Sequence, residues 1–165
     1  MSTNTAALEN RDRDARGVDH GVAATGEVAS FTRYLVPLGR VLFALIFVNS
    51  IIGHFSSGSI AYAEQAGVPL ATLLVPLSGV LAFAGGLSIA LGYRARLGAW
   101  LLVLFLVPVT LKMHAFWAVP DPMMAQMQQV MFFKNVSMLG AALLIAHFGA
   151  GPVSLDARNQ AKRNG

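Results

Sequence analysis

The sequence predicts an all-α, polytopic membrane protein: a bundle of four transmembrane helices with both termini cytoplasmic. Three observations carry that expectation. Apolar residues make up 55% of the chain and charged residues only 12%, whereas an ordinary soluble domain has about 25% charged residues to cover its surface. Four apolar runs, at about 35–55, 70–92, 97–117 and 127–148, each approach the ~20 residues that cross a bilayer as a helix. Basic residues outside the runs collect in alternate segments, as they do when one side of the membrane faces the cytoplasm.

The chain, at 165 residues, has the length of one domain. Residues 1–33 are polar and mixed in charge, with Glu9, Arg11, Asp12, Arg13, Asp14, Arg16 and Asp19. They read as a disordered cytoplasmic tail and not as a signal peptide, because no apolar core precedes a small-residue cleavage site. Residues 34–150 form the transmembrane domain, and 151–165 a second cytoplasmic tail.

In the first run Arg40, Phe43, Phe47, Ser50 and His54 share one helical face. Two readings of Arg40 stand. It snorkels to the near interface, since it lies only about one turn in, or it pairs with a neighbouring helix or a lipid phosphate. A polar link from Ser56 to Pro69 follows. The second run carries Gly79, Ala82 and Gly86 at helical spacing, a small-residue stripe that lets helices approach closely in lipid. It ends at Gly92, a candidate C-cap. Tyr93-Arg94-Ala95-Arg96 makes a tight turn into the third run, which ends on Lys112, His114 and Trp117. Trp117 suits an interfacial aromatic belt. A link with Pro120, Asp121 and Pro122 leads to the fourth run, where Met127, Met131, Lys134, Met138, Ala141 and Ile145 form one face beside Asn135. Pro76 and Pro108 are candidate kinks.

The formal net charge is +4, but its distribution reports orientation and not nucleic-acid binding. The first tail has Arg11, Arg13, Arg16 and Arg33; the second-to-third turn has Arg94 and Arg96; the last tail has Arg158, Lys162 and Arg163. The other two links hold Lys112 alone, at a helix edge. Cytoplasmic termini follow from the positive-inside pattern. His54, Lys112, His114, Trp117, Lys134 and Asn135 then all belong to the outer half of the bilayer. With no cysteine in the chain, disulfides, iron–sulfur clusters and thiolate metal sites are excluded.

Buried polar groups in a membrane point to function or to a partner. His54, Lys112, His114, Trp117, Lys134 and Asn135 form the candidate ligand site, able to hydrogen-bond an anionic or carbonyl-bearing molecule. They lack paired carboxylates for proton-driven chemistry and any spacing specific for a metal. The alternative is that Lys134 snorkels, Asn135 bonds across helices and the histidines sit at the interface.

Several short pieces resemble the DoxX family of small membrane proteins: Gly39-Arg40, Ala66-Gly67-Val68-Pro69, Gly85-Gly86-Leu87 with Gly92-Tyr93-Arg94, His114-Ala115-Phe116-Trp117, Phe133-Lys134-Asn135, Gly140 and Ser154-Leu155-Asp156. Their order and spacing, over about residues 33–156, carry the resemblance. It implies a four-helix bacterial inner-membrane protein. Members of that family are named after a subunit of a thiosulfate:quinone oxidoreductase or terminal quinol oxidase. One position departs from the pattern: Ala82 stands where many relatives have a glutamate.

The expected function is therefore a redox-associated subunit that binds quinone or quinol or supports an oxidoreductase complex. Whether the chain is itself an enzyme is left open, and the resemblance transfers no catalytic residue. Quinone is the candidate cofactor. Haem would need His54 and His114 on facing helices at matching depth. The expected partners are the bilayer, oxidoreductase subunits and a second copy of the chain. A non-catalytic assembly subunit, whose Gly79–Gly86 stripe contacts another protein, is the alternative. A small transporter fits less well, because no inverted repeat is visible.

Overall fold

The computed structural model describes residues 32–165. The expected tail at 1–33 lies, but for its last two residues, outside them. The elements are α1 (Leu35–His54), α2 (Ser57–Gln65), α3 (Ala71–Leu91), α4 (Ala95–Met113), a 3-10 turn (Phe116–Ala118), α5 (Pro122–Phe148) and α6 (Leu155–Asn164). The described residues are all-helical and contain no strand. Four helices, at α1, α3, α4 and α5, are long and apolar enough to cross a membrane.

Three boundaries differ from the sequence reading. The polar link after the first run contains α2, because the Ser56 hydroxyl accepts from the Ser59 N–H and caps a short helix. α4 stops at Met113 and Trp117 lies in the 3-10 turn beyond it. α5 begins at Pro122 and not near 127: Asp121 caps it by accepting from Met124 N–H at 2.8 Å, and Pro122 occupies the first turn, where its missing N–H costs nothing.

Packing follows from small residues. Gly79 lies against the Cβ of His54, and Gly86 against the Cβ of Phe47 and the carbonyl of Ala44. The pairing runs down one helix as it runs up the other, so α1 and α3 are antiparallel. Ala82, between these glycines, is fully buried. The stripe thus serves contacts within the chain and is not open to another protein. On the opposite side of α3, Gly85 meets the Gly98 carbonyl and the Leu102 side chain of α4. In lipid the apolar side chains gain little by leaving their solvent, so close backbone approach of this kind supplies the association. Phe47, Ala82, Ile89, Ala99, Leu102, Phe105, Leu106 and Ala142 make the core. Of α5 only Asn135 and Ala142 are buried, so most of that helix faces outward.

At the end of the bundle where α1 begins and α5 finishes, three pieces distant in sequence converge. Arg40 is 5% exposed. Its guanidinium donates to the carbonyl of Ala150 at 2.6 Å and to that of Val153 at 2.7 Å. Gly92 closes α3 in the left-handed conformation, φ +63°. A Cβ there would collide with Arg40 and Ser154. Arg94 is also left-handed, φ +48°, at a cost of about 1–2 kcal/mol for a side-chain-bearing residue. The Asp156 carboxylate offsets that cost by accepting from the N–H groups of Arg94 and Ala95 at 2.7 and 3.0 Å. These are N–H groups that the first turn of α4 cannot satisfy itself. Snorkelling of Arg40 is therefore excluded: its charge is spent on carbonyls of the segment after α5. That segment is fastened to the bundle and is no loose tail.

Candidate functional site

At the other end of the bundle α1, α2, α3 and α4 surround a cleft of about 790 Å³. Its walls are largely aliphatic, from Leu74, Val75, Leu77, Leu81, Leu104, Pro108 and Val109. Polar groups come from Asn49, Ser50, His54, Ser59, Tyr62, Ser78, Lys112 and His114. No carboxylate lines it. The volume lies in the range of sites for lipid-like or drug-sized molecules, about 300–1,000 Å³.

Each polar group has an identifiable support. His54, in the last turn of α1, donates from Nδ1 to the Ser50 carbonyl at 2.9 Å and packs on the ring of Phe105 at 5.7 Å between centroids. Ser59 and Tyr62 belong to α2, anchored by the fully buried Ala63. The Tyr62 hydroxyl donates to the Met113 carbonyl at 3.2 Å, across from the end of α4. His114 follows α4 directly, and its Nδ1 lies 2.7 Å from Oε1 of Gln128 on α5. Gln128 in turn donates from Nε2 to the Tyr62 oxygen at 3.0 Å. Lys112 lines the cleft with its ammonium group free of any hydrogen bond to the described residues.

Of the six residues singled out in the sequence, the structure brings His54, Lys112 and His114 together on the cleft. Trp117, Lys134 and Asn135 are not on it. Trp117 is 61% exposed and its ring meets Phe116 and Phe132 edge-on. Lys134 is exposed and its ammonium folds back one turn to the Met131 sulfur at 3.2 Å. Its exposed side chain matches the snorkelling alternative and lies outside the cleft that His114 lines. The physical reason is that α5 starts early. Phe132 touches Trp117, so Lys134 lies only about 3 Å further along the axis, within snorkelling reach of the aromatic level. Asn135 is 4% exposed, buried on α5, and makes no side-chain hydrogen bond within the described residues. Lys134→Met should therefore leave cleft occupancy and stability within about 0.5 kcal/mol of the parent, as for a surface change. Thermal unfolding in detergent checks this, and loss of a cleft ligand in the variant would restore Lys134 to the site.

Sequence reasoning missed Ser50, Ser59, Tyr62 and Gln128. The Ser56-Ser57-Gly58-Ser59 run was a readable helix-start signal, which would have put Ser59 and Tyr62 on successive turns of one face. Gln128 had no such signal, because its role depends on where α5 lies against α2. Among the described residues no group of three or more histidine and acidic side chains could hold a metal ion.

Comparison with known proteins places the chain. It is 28% identical over 128 residues to the inner membrane protein YphA of Escherichia coli, covering 75% of this chain and 89% of that protein. It is 30% identical over 123 residues to the inner membrane protein YqjF of Escherichia coli, covering 73% and 88%. It is also 27% identical over 144 residues to the Surfeit locus protein 4 homolog of Drosophila melanogaster, covering 87% of this chain but 47% of that longer protein. No solved structure matches. The resemblance to the DoxX family is overturned by the family model, which is that of the SURF4 family and matches residues 7–162. The pieces that suggested DoxX have local jobs in this fold. Gly92-Tyr93-Arg94 turns one helix into the next, Arg40 and Asp156 fasten the last segment, and Gly85 and Gly86 admit close helix packing. Any bundle with these turns can use such pieces, so their order is a weaker signal than a match over nearly the whole chain: the protein is an integral membrane protein and belongs to the SURF4 family.

Proposed function

We propose that the protein is a non-catalytic binding protein of the bacterial inner membrane, whose outer-facing cleft takes a single amphipathic molecule from the bilayer. The observation that carries this is the cleft: aliphatic walls, one free ammonium group and two imidazoles at one mouth, and no carboxylate. Such a lining holds an apolar body and orients a polar head. Among the described residues no hydrogen bond joins a serine hydroxyl or the Lys112 ammonium group to either imidazole, so binding accounts for the residues better than catalysis does. The names of the Escherichia coli relatives support the inner membrane as the location. Cytoplasmic termini are supported by Arg94, Arg96, Arg158, Lys162 and Arg163 in the turn and the last helix, which Asp156 ties to one end of the bundle. The redox-subunit expectation drew on the six-residue cluster and on the DoxX resemblance. Three of the six residues lie off the cleft and the resemblance is corrected, so a quinone now stands only as one amphiphile among others.

Native mass spectrometry of protein released from mild detergent tests the reading. The expected result is one lipid-soluble adduct per chain. Gly53 lines the cleft, and a Cβ on it meets nothing within 4 Å. The Cβ of Gly53→Trp therefore has room, and the indole beyond it should lower adduct occupancy at least about tenfold, as expected when a ligand is denied a good set of hydrophobic neighbours. An unchanged adduct in Gly53→Trp would refute the cleft as its seat.

A further inference from the structure

The cleft's hydrogen bonds have a fixed polarity, which follows from one group that can only accept. The Met113 carbonyl has no proton, so the Tyr62 hydroxyl, 3.2 Å away, must donate to it. The Tyr62 oxygen then has only lone pairs left for Gln128, so the amide turns its NH2 group to Tyr62 at 3.0 Å. The amide oxygen therefore faces His114 at 2.7 Å. An amide oxygen also only accepts, so Nδ1 of His114 carries the proton. In the neutral ring Nε2 is then bare. His54 reaches the same state by a shorter route: its Nδ1 is 2.9 Å from the Ser50 carbonyl, so that nitrogen holds the proton and Nε2 is bare. Neither Nε2 has a partner in the described residues, and neither is a buried unpaired atom; Arg40 Nε alone is that. Both histidines line the cleft, so both bare nitrogens are open to a molecule in it.

We propose that the cleft selects lipid-soluble molecules with a hydroxyl head, an alcohol or a phenol, over those with a carbonyl, ether or carboxylate head. This rests on the reading of the cleft as a binding site and sharpens it. A hydroxyl donates its proton to a bare Nε2 and accepts from the Lys112 ammonium group. A carbonyl or an ether satisfies Lys112 but has no proton for the imidazoles, so a desolvated acceptor is left unpaired. A carboxylate meets lone pairs on both imidazoles when these are neutral. The hydrogen bonds that hold each ring, the relay at His114 and the Ser50 carbonyl at His54, and not the mere presence of histidine, set the preference.

The test is competition in nanodiscs at pH 8, above the ordinary imidazole range, read by native mass spectrometry. The probes are a long-chain 4-alkylphenol, its methyl ether and a fatty acid of matched length. The parent protein should prefer the phenol over the ether by about tenfold, the size of one buried acceptor left unmade. Tyr62→Phe removes the hydroxyl oxygen that accepts from Gln128 and so orients its amide. The amide is then free to turn its NH2 group to His114 and shift the proton to Nε2 of that ring, so the preference should fall to the smaller share that the bare Nε2 of His54 supports alone. Gln128→Met frees the same ring by a different route and should lower the preference to the same extent. Equal binding of phenol and ether by the parent overturns the hydroxyl rule while leaving the binding site standing. A preference undiminished in both variants overturns the relay. If the fatty acid binds most tightly at pH 8, Lys112 decides and the proposal fails. Binding of none of the three overturns both this proposal and the binding reading beneath it.

Discussion

Arg40→Met should unfasten the end of the chain. The substitution leaves the Ala150 and Val153 carbonyls without the donors that now sit 2.6 and 2.7 Å away. A hydrogen bond from a charged donor contributes about 1.5–3 kcal/mol, and relief of the buried charge returns part of that. A net loss of about 2–4 kcal/mol is expected. It should appear as a lower unfolding temperature in detergent and as faster proteolysis between residues 149 and 165. Arg40→Lys should recover little, because an ammonium group cannot span two carbonyls as the planar fork does. Unfolding and protection equal to the parent's would show that the segment is held by something other than Arg40.

Gly85→Leu should separate α3 from α4. A Cβ at Gly85 would lie 2.8 Å from the Gly98 carbonyl oxygen and 2.8 Å from Leu102 Cδ2. Leu102 can rotate but a backbone oxygen in a helix cannot, so the helices must move apart. Overpacking costs about 1–3 kcal/mol and more where nothing yields. In a membrane, close backbone approach of this kind is what drives helix association, so its disruption is felt in full. Gly140→Leu on α5 is the matched control. Its Cβ would meet nothing within 4 Å, so a change within about 0.5 kcal/mol is expected. Comparable unfolding midpoints for the two variants would mean that the α3–α4 crossing does not depend on its glycines.

The corrections share one cause. Lys134 and Asn135 are adjacent in sequence, yet one is exposed and the other buried. On a helix that is buried at only Asn135 and Ala142, a one-residue rotation of about 100° decides which side meets protein. Periodicity named the faces of α5 but could not say which of them met α4. The same holds for Arg40. Its position one turn into α1 fits a snorkelling residue equally well until the segment after α5 is seen to return beneath it. The Tyr62–Gln128–His114 relay joins α2, α5 and the end of α4, and no local pattern links those three positions.

Composition and run length alone settled the all-helical membrane class and the number of spans, because a bilayer imposes a ~20-residue apolar run on each crossing. The sequence likewise marked Gly92 as a helix stop, since few other residues take the left-handed conformation there. It placed His54, Lys112 and His114 at neighbouring helix ends of one bundle face, which antiparallel connection alone requires. Their meeting in one cleft, the exclusion of Lys134 from it, the contact of His114 with Gln128 and the partner of Arg40 were settled only by how the helices pack. Those features depend on the rotation and offset of one helix against another. In lipid that geometry comes from close backbone approach, as at Gly79 with His54 and Gly85 with Gly98, and not from an apolar pattern that every face of these helices shares.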